Sequence, residues 1–375
     1  MRTRGSSEVH LTYAEAGVDE PREQEALKGM LDLLQSTYSL HKGIGSPAFP
    51  IGHFSNVLDM GAGLGLVLTT DGVGTKLVLA QMLHKYDTVG IDCVANNVND
   101  LLCLGAEPVA MLDYIAIDTI DEKALVDVAR GLRAGAELAH ISIPGGEIAQ
   151  VADMLSPTRG ASTIDLVGSA IGIVSLSGER EDLPPLVDGK KVAPGDVLIG
   201  LLSSGLHSNG YSFARKVLLN QAGLRLDQYV SELGRTLGEE LLQPTFIYVD
   251  PVLGVLKKRL AVHGIVNVSG GGLLSLGRLP TDCGFLIKEI PPAPAVFRLI
   301  QRHGSIPDAD MFAAFNMGIG FCLVCAKDAA KPVIHEIASH GYRSIEMGKI
   351  VDEPRGKIVI EPLGLVGSGE VFTPA

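Results

Sequence analysis

The short run DGVGTK, residues 71–76, combines an acid, two glycines and a lysine. The residues before it, Leu64–Thr70, predict a strand that ends at Asp71. Glycines let backbone N–H groups approach a ligand closely, and hydroxyl and ammonium groups donate to phosphate. We therefore predict that the turn contacts ATP phosphates through Asp71, Gly72, Gly74, Thr75 and Lys76. A tight structural turn explains the glycines equally well, and the spacing is not that of a Walker A loop.

A predicted helix at Thr88–Leu104 carries an unusual polar face. Four of its side chains recur at i, i+4, i+7 and i+8: Asp92, Asn96, Asn99 and Asp100. This face has no lysine, arginine or glutamate, and Asp and Asn weaken a helix unless their side chains are used. Short oxygen ligands suit Mg²⁺. The alternative is an ordinary solvent-exposed helix face.

A third acid follows a short apolar strand and two glycines in IPGGEIAQ. Its carboxylate, Glu147, could join Asp71 and Asp100 around a metal ion. We predict these three residues as Mg²⁺ ligands, although the segment taken alone indicates a turn.

The segment LLSSGLHSNGYSFARK runs from a predicted strand into a helix that starts near Asn209. Hydroxyl groups, a glycine and free N–H groups at a helix start make an anion site, and His207 could donate to phosphate or act as general acid or base. The alternative is an N-capped helix. A second glycine turn occurs at Gly270–Gly272. We predict these substrate-binding residues: Ser204, Gly205, His207, Ser208, Asn209, Gly270 and Gly271.

Two other patterns do not indicate sites. Cys322 and Cys325 lie in a strand-like run, where positions i and i+3 point to opposite faces, so zinc is not expected. The glycines of GAGLGL, residues 61–66, precede their strand, which is the wrong order for a dinucleotide fingerprint.

Composition limits the class of protein. The 375 residues suggest two domains, 46% are hydrophobic, and the formal net charge of −12 argues against nucleic-acid binding. Five cysteines among apolar residues fit reduced thiols, and no stretch reaches the length of a membrane span. We therefore expect a soluble cytoplasmic protein with a small-molecule partner.

Strands and helices alternate along both halves of the chain. The strands Leu64–Thr70, Val109–Ile117 and Leu166–Leu176 are predicted, with helices at Thr88–Leu104 and Glu122–Leu138 between them. The long glycine- and proline-rich loop at residues 41–57 resembles a lid. A charged, proline-bearing segment separates two α/β (α+β) domains, residues 1–176 and 177–375.

Together, these segments resemble the aminoimidazole ribonucleotide synthetase (phosphoribosylformylglycinamidine cyclo-ligase) family. The matching motifs are TYAEAGVD, TTDGVGTKL, GIDCVANNVNDLLCLGAEPVAMLDYIA, GGE, SSGLHSNGYSFARK, PTFIYV, SGGG and FNMGIGF. The resemblance implies a homodimer whose N-terminal domains pair their mixed sheets into a shared barrel. It also implies ATP, Mg²⁺ and transfer of the γ-phosphoryl group to a formamide oxygen, followed by ring closure. On this basis His207, Lys76 and Asp92 are predicted catalytic residues, and Asp113 joins Asn96 and Asn99 at ATP.

The chain departs from related bacterial sequences at two places. The GGE motif continues as GGEIAQVADM, and Asn267 stands where those sequences carry a histidine before the three glycines. His263 lies four residues earlier. These departures leave open a superfamily kinase or synthetase acting on another phosphorylated or amide substrate. The sequence speaks against a nucleotide-binding regulator without catalysis, because the candidate site residues are all present: Asp71, Lys76, Asp100, Glu147 and His207.

Overall fold

The computed structural model describes residues 20–155, 162–178 and 180–375, with the side chains of the first helix described from Leu27 onward. The TYAEAGVD motif lies outside these residues. The α-helices are α1 Glu20–Ser36, α2 Lys76–Leu83, α3 Val89–Leu102, α4 Glu122–Ala139, α5 Tyr211–Arg215, α6 Leu237–Leu241, α7 Val249–Lys257, α8 Ala295–Gly304, α9 Asp308–Ala314 and α10 Ala330–Ser339.

The strands are β1 Ser46–Pro47, β2 Asn56–Asp59, β3 Leu64–Gly72, β4 Glu107–Ile117, β5 Ser142–Gln150, β6 Ile164–Ser175, β7 Val197–Leu202, β8 Tyr229–Val230, β9 Arg235–Thr236, β10 Val262–Asn267, β11 Gly284–Ile287, β12 Ile319–Cys325, β13 Ser344–Val351, β14 Ile358–Ile360, β15 Leu365–Ser368 and β16 Val371–Pro374. Short 3₁₀ segments occur at Thr37–Ser39, Gly272–Arg278, Lys327–Ala329 and Glu361–Leu363, and a π-helical segment at Lys216–Gln221.

The first sheet has the strand order β1-β2-β3-β6-β4-β5. Its neighbours pair antiparallel except β4 and β5, which are parallel. The predicted strands and helices of this half are confirmed, with ends that differ by at most two residues. Both neighbours of β3 run antiparallel to it.

Helices α3 and α4 cover one face of the first sheet. Apolar side chains of α3 such as Val94 and Val98 are fully buried there, as are Val67 and Leu166 from the strands. Alternation along the strands sends every second residue to the opposite face. On that outer face, large apolar side chains are exposed: Leu68, Leu112, Tyr114 and Ile171.

The second sheet has the order β10-β12-β7-β13-β11-β14-β15-β16, again mostly antiparallel. The last strand of the first sheet ends at Ser175 and the first strand of the second sheet begins at Val197. The segment 176–196 between them contains the domain boundary that we place from composition.

Two local expectations are wrong. The GGE motif continues straight through β5 instead of turning. The 41–57 segment contains β1 and the start of β2 rather than loop alone. On α1, the apolar side chains of Met30 and Leu34 are exposed.

Candidate active site

The two halves of the chain meet at a junction lined by most of the predicted site residues, and we use the word cleft for its solvent-exposed edge around Asp71. Its N-terminal wall is the end of β3 with the polar face of α3, and its C-terminal wall consists of the loops that follow β7 and β10. Asn99 joins the walls: its Nδ2 donates to the Phe246 carbonyl oxygen at 2.8 Å, and its Oδ1 accepts from the Tyr248 N–H at 3.0 Å. The side chain predicted to bind ATP therefore holds the C-terminal half against α3.

The end of β3 is fixed by two asparagines of α3. Asn97 Oδ1 accepts from the Asp71 N–H and its Nδ2 donates to the Asp71 carbonyl oxygen, both at 3.1 Å. Asn96 Nδ2 donates to the Gly72 carbonyl oxygen at 3.0 Å. Sequence reasoning missed Asn97 because it assigned only one stripe of the helix to the site. The Asp71 side chain itself remains exposed to the cleft.

Strand register places two predicted carboxylates in one row. Asp71 and Asp113 both pair with Gly168 of β6, from opposite sides, and Asp113 also pairs with Gly146 of β5. Paired residues share a face of the sheet. A Cβ on Gly168 would lie 2.5 Å from Asn97 Nδ2, so only glycine lets α3 approach here. Burial raises the pKa of Asp113 above its usual range.

Asp100 lies at the same edge, near the C-terminal end of α3. Burial raises its pKa to about 7, the hydrogen bond from Asn267 opposes that rise, and the charge of Asp71 adds to it. Asn267 Nδ2 donates to Asp100 Oδ1 at 2.9 Å. Asn267, which stands where related sequences carry a histidine, thus donates a hydrogen bond to Asp100, a predicted metal ligand. A positive charge that sequence reasoning missed, Arg278, lowers the pKa of the same carboxyl group.

Glu147 does not join these two acids. It pairs with Tyr114, the residue after Asp113, so alternation sends its side chain to the outer face of the sheet. Its prediction as a third ligand in this chain is wrong for that reason. Within the described ranges, no three carboxylate, imidazole or thiol groups converge to hold a metal ion by themselves.

Asp71 and Asp100 nevertheless fit Mg²⁺. Two neighbouring carboxylates repel each other, and a divalent cation between them would remove that repulsion. Mg²⁺ commonly takes one or two protein carboxylates and completes its shell with phosphate oxygens and water. Two carboxylates are therefore sufficient to hold Mg²⁺ where a nucleoside triphosphate is also bound.

Lys76 occupies a different place from the one predicted. Its ammonium group is fully buried, 2.7 Å from Asp92 Oδ2, and it donates to the carbonyl oxygens of Gln243 at 2.6 Å and His207 at 3.2 Å. All three of its donors are used. Lys76 and Asp92 therefore form a buried connection between the two halves, and neither reaches the cleft. This burial does not support the catalytic and phosphate-binding roles predicted for the two residues.

Asp92 also fixes the loop that follows α6. Its Oδ1 accepts from the Thr245 N–H at 2.8 Å and the Thr245 hydroxyl at 2.7 Å. The Ser208 hydroxyl donates to the same oxygen at 3.4 Å. One carboxylate thus joins α2, the SSGLHSNG loop and the 243–248 loop.

His207 is a buried turn residue rather than a phosphate donor. Its φ is +62°, it is 4% exposed, and its Nε2 accepts from the Ser204 N–H at 3.3 Å. Its ring lies 6.2 Å from that of Tyr248 and 6.4 Å from that of Phe246. Burial, and secondarily the charge of Lys76, lowers its pKa to about 3. The predicted role as catalytic donor is not supported, and the structural alternative fits.

This burial predicts an acid-sensitive stability. Between about pH 6.5 and pH 3 the unfolded chain binds a proton at His207 that the folded chain does not. The unfolding free energy should therefore fall on acidification, at most by about 1.4 kcal/mol per pH unit from this group. His207→Asn, which tolerates positive φ, should flatten the slope measured by urea unfolding from pH 7 to 4.

The exposed His335→Asn variant is the control, and its slope should match that of the wild type. Equal slopes for His207→Asn and the wild type would contradict the buried neutral assignment.

The other hydroxyl groups of this loop are also used internally. Ser204 Oγ donates to the Pro244 carbonyl oxygen at 2.6 Å, and Thr75 accepts from the Ser212 hydroxyl at 3.1 Å. Asn316, from the FNMGIGF motif, donates to the Gly205 carbonyl oxygen at 2.8 Å. No residue of that motif is among the site residues predicted from the sequence. Among the predicted glycines, Gly74 and Gly271 face open space, since a Cβ at either would meet no atom within 4 Å.

His263 does not replace the missing histidine. Its Nδ1 lies 2.8 Å from Asp196 Oδ2, at the start of β10, whereas Asn267 ends that strand. The four residue steps of extended chain between them span about 13 Å. His263 therefore belongs to the linker side of the second domain.

The 41–57 segment, which is predicted as a lid, contacts two cationic side chains through its aromatic rings. Both cations come from outside the first sheet. The Lys190 ammonium lies 4.9 Å from the centre of the Phe49 ring, and the Arg278 guanidinium 4.7 Å from that of Phe54. Such contacts contribute about 0.5–1 kcal/mol each at exposed sites. They place the segment beside the cleft.

Two family descriptions match the chain. Residues 52–174 match "AIR synthase related protein, N-terminal domain" and residues 193–361 match "AIR synthase related protein, C-terminal domain". Together the two matches cover well over half of the sequence.

Curated relatives named phosphoribosylformylglycinamidine cyclo-ligase cover most of the chain. The protein from Thermococcus kodakarensis is 44% identical over 92% of this chain and 96% of its own length. That from Pyrococcus furiosus is 43% identical, with 95% and 99% covered, and that from Methanosarcina acetivorans is 42% identical, with 87% and 92% covered.

Solved structures share the fold at low identity. Thiamine-monophosphate kinase from Stenotrophomonas maltophilia gives a TM-score of 0.56 at 20% identity, with 84% of this chain and 92% of that chain covered. The HypE–HypF complex gives 0.55 at 17%, with 82% and 90% covered. These two likenesses establish the mixed two-domain α+β fold and nothing about activity.

Proposed function

The chain belongs to the AIR synthase related family, and from that membership we propose that it is an ATP-dependent cyclo-ligase of purine biosynthesis. The substrate would be formylglycinamidine ribonucleotide and the product aminoimidazole ribonucleotide. The observation that carries this proposal is the extensive similarity to enzymes named for that reaction. The kinase-like alternative has only low-identity fold likeness in its favour.

The proposed reaction has two steps. The formamide oxygen attacks the γ-phosphorus of ATP, the bond to the β-phosphate oxygen breaks, and ADP leaves. The amidine nitrogen then attacks the former formamide carbon, the carbon–oxygen bond breaks, inorganic phosphate leaves, and a proton is lost as the ring becomes aromatic. Positioning and charge neutralisation carry such phosphoryl transfers.

Within the cleft, Asp71 and Asp100 would hold Mg²⁺ beside the triphosphate. Bound there, the ion would neutralise phosphate charge and orient the γ-phosphoryl group. The backbone at Gly72 and Gly74 lies beside Asp71 and supports the prediction that this turn meets phosphate. Asn96 and Asn97 hold the end of β3 so that the carboxylate keeps its direction.

The buried contacts around Lys76 support a rigid connection between the walls. A cleft that must align formamide oxygen and phosphorus gains rate from fixed geometry. Asp92, Asn99 and Asn267 each join α3 to the C-terminal half. We infer that these side chains position the walls and that the reacting groups lie in the open part of the cleft.

The test is direct. Purified protein, ATP, Mg²⁺ and synthetic formylglycinamidine ribonucleotide should yield aminoimidazole ribonucleotide and ADP in equal amounts. ADP formation without ring closure would contradict the cyclo-ligase assignment and favour the kinase alternative. Omission of either substrate is the control.

We further propose a homodimer formed through the outer face of the first sheet. Exposed apolar side chains concentrate there, including Leu112 at 51% and Tyr114 at 42% exposure. Contiguous apolar patches of this kind mark protein interfaces. Pairing with the same face of a second copy would cover both sheets and form the shared barrel that the family resemblance implies. No helix among the described residues is long and apolar enough to cross a membrane.

Leu112→Glu is expected to dissociate this dimer. A charge placed in a closely packed apolar face costs several kcal/mol, because it loses its water. Sedimentation velocity at micromolar concentration should show a dimer for the wild type and a monomer for the variant. Leu138→Glu is the matched control, since Leu138 is 55% exposed on α4, away from that face. A monomeric wild type would contradict the proposal.

A further inference from the structure

A second, smaller cavity opens beside the cleft, between the glycine turn after β10 and the C-terminal hairpin. Its volume is about 280 Å³. One wall is the Gly270–Gly271 turn with the 3₁₀ segment Gly272–Arg278, and the other is the turn Gly367–Glu370 that joins β15 to β16. This hairpin begins after residue 361, where the family match ends.

One basic side chain, that of Arg278, and one acidic side chain, that of Glu370, line the cavity. Among the residues that the structure describes, Arg278 makes a ring contact with Phe54 but no hydrogen bond or ion pair. Beside the lining, Lys357 donates to the hydroxyl of Ser368 at 2.6 Å. Glu370 is engaged in an interaction within the protein. An arginine whose five donors are unused is suited to an anion, and to phosphate above all.

Bare backbone forms much of the wall. A Cβ at Gly271, Gly277, Gly356 or Gly369 would meet no atom within 4 Å, so these glycines border open space. Peptide N–H groups in such glycine turns can donate to phosphate oxygens. The volume lies just below the usual range for small-molecule pockets, which suits a phosphate group with part of a sugar but not a whole nucleotide.

The position connects the cavity to the proposed reaction. Gly270 lies at the cleft, with its Cβ position 3.4 Å from Asn209 Oδ1. Burial raises the pKa of both Asp71 and Asp100, and the charge of Arg278 acts against that rise at each carboxyl group. A molecule with its phosphate in the cavity could therefore extend its other end toward those acids.

The loop that sequence analysis assigned to substrate phosphate is less suitable. His207 is buried, and the hydroxyl groups of Ser204 and Ser208 already donate within the protein. Binding phosphate there would break these bonds. The cavity beside Arg278 requires no such loss.

We propose that this cavity binds a phosphate monoester, with Arg278 as its principal donor, and that the monoester is the 5′-phosphate of the ribonucleotide substrate. The second part rests on the proposed cyclo-ligase function, whereas the first does not. The other source of the same chemistry is a phosphate of ATP. The C-terminal hairpin then becomes part of the substrate site.

The first test measures binding without turnover. Titration calorimetry of the full-length protein should show ribose 5-phosphate binding at least about tenfold more tightly than ribose, as expected for a charge-assisted contact. Arg278→Ala should remove that preference and Arg278→Lys should restore part of it. Gly277→Val, which keeps the arginine but fills the cavity, should also weaken binding. Arg130→Ala is the control, because Arg130 is 68% exposed on α4 and paired with Asp127.

The second test separates the two phosphate sources by kinetics. Arg278→Ala should raise the KM for formylglycinamidine ribonucleotide about tenfold or more, with kcat and the KM for ATP within twofold of wild type. A rise in the KM for ATP alone would overturn the substrate assignment. Equal binding of ribose 5-phosphate and ribose by the wild type would overturn the site. If the wild type lacks ring closure yet binds ribose 5-phosphate through Arg278, the proposed function fails and the phosphate site stands.

Discussion

Asp71→Asn is expected to reduce kcat about a hundredfold or more while leaving the fold intact. The substitution removes one charge from the pair that would hold Mg²⁺ against the triphosphate. Loss of one preorganised charge-stabilising group typically costs about 2.7–4 kcal/mol in the transition state. Because the Asp71 side chain is exposed and its backbone bonds to Asn97 remain, thermal unfolding should change little. Steady-state ring closure and a melting curve on the same preparation measure both effects.

The control for this variant is Asp227→Asn. Asp227 is exposed and pairs with Arg225 at 2.5 Å, far from any part of the cleft described above. Its removal should leave kcat unchanged. An Asp71→Asn enzyme with near-normal kcat at saturating Mg²⁺ would contradict the assignment of this carboxylate.

Lys76→Ala is expected to act through stability. It would leave Asp92 buried and without its ion partner, and breaking one half of such a pair costs about 3–5 kcal/mol. The carbonyl oxygens of Gln243 and His207 would also lose their donor. Urea unfolding should therefore shift to much lower denaturant concentration. The double variant Lys76→Met with Asp92→Asn should recover part of the loss, because no buried charge remains and the amide oxygen can still accept from Thr245.

The alternative role for Lys76 makes the opposite prediction. A lysine that binds phosphate would leave stability nearly unchanged on substitution and would lower kcat or raise the KM for ATP in native-like protein. A Lys76→Ala enzyme with wild-type unfolding and strongly impaired turnover would return the residue to the catalytic site. Lys85→Ala, which removes a half-exposed ammonium group that pairs with Asp87, is the control for nonspecific loss of charge.

Much of the first domain could be predicted because its signals are local. Period-two alternation and helical periodicity located β3, β4, β6, α3 and α4 to within a few residues. The prediction that β3 ends at an acid followed by a glycine is also confirmed, since Asp71 and Gly72 are the last residues of that strand. The segments responsible for the family resemblance were read from the same contiguous motifs.

The chain alone determined which residue types were available: a carboxylate at the end of β3, a polar stripe on α3 and two glycine turns in the second half. Only the tertiary structure decided what each does. Lys76 and His207 look like phosphate donors in their motifs, but long-range packing buries both and uses their polar groups at Asp92 and Ser204. Strand pairing places Glu147 on the opposite face of the sheet from Asp71. Arg278 acts on the carboxyl group of Asp71 although it lies 207 positions later in the sequence. Local sequence sets side-chain chemistry and periodicity, whereas burial, register and the meeting of distant segments depend on the whole chain.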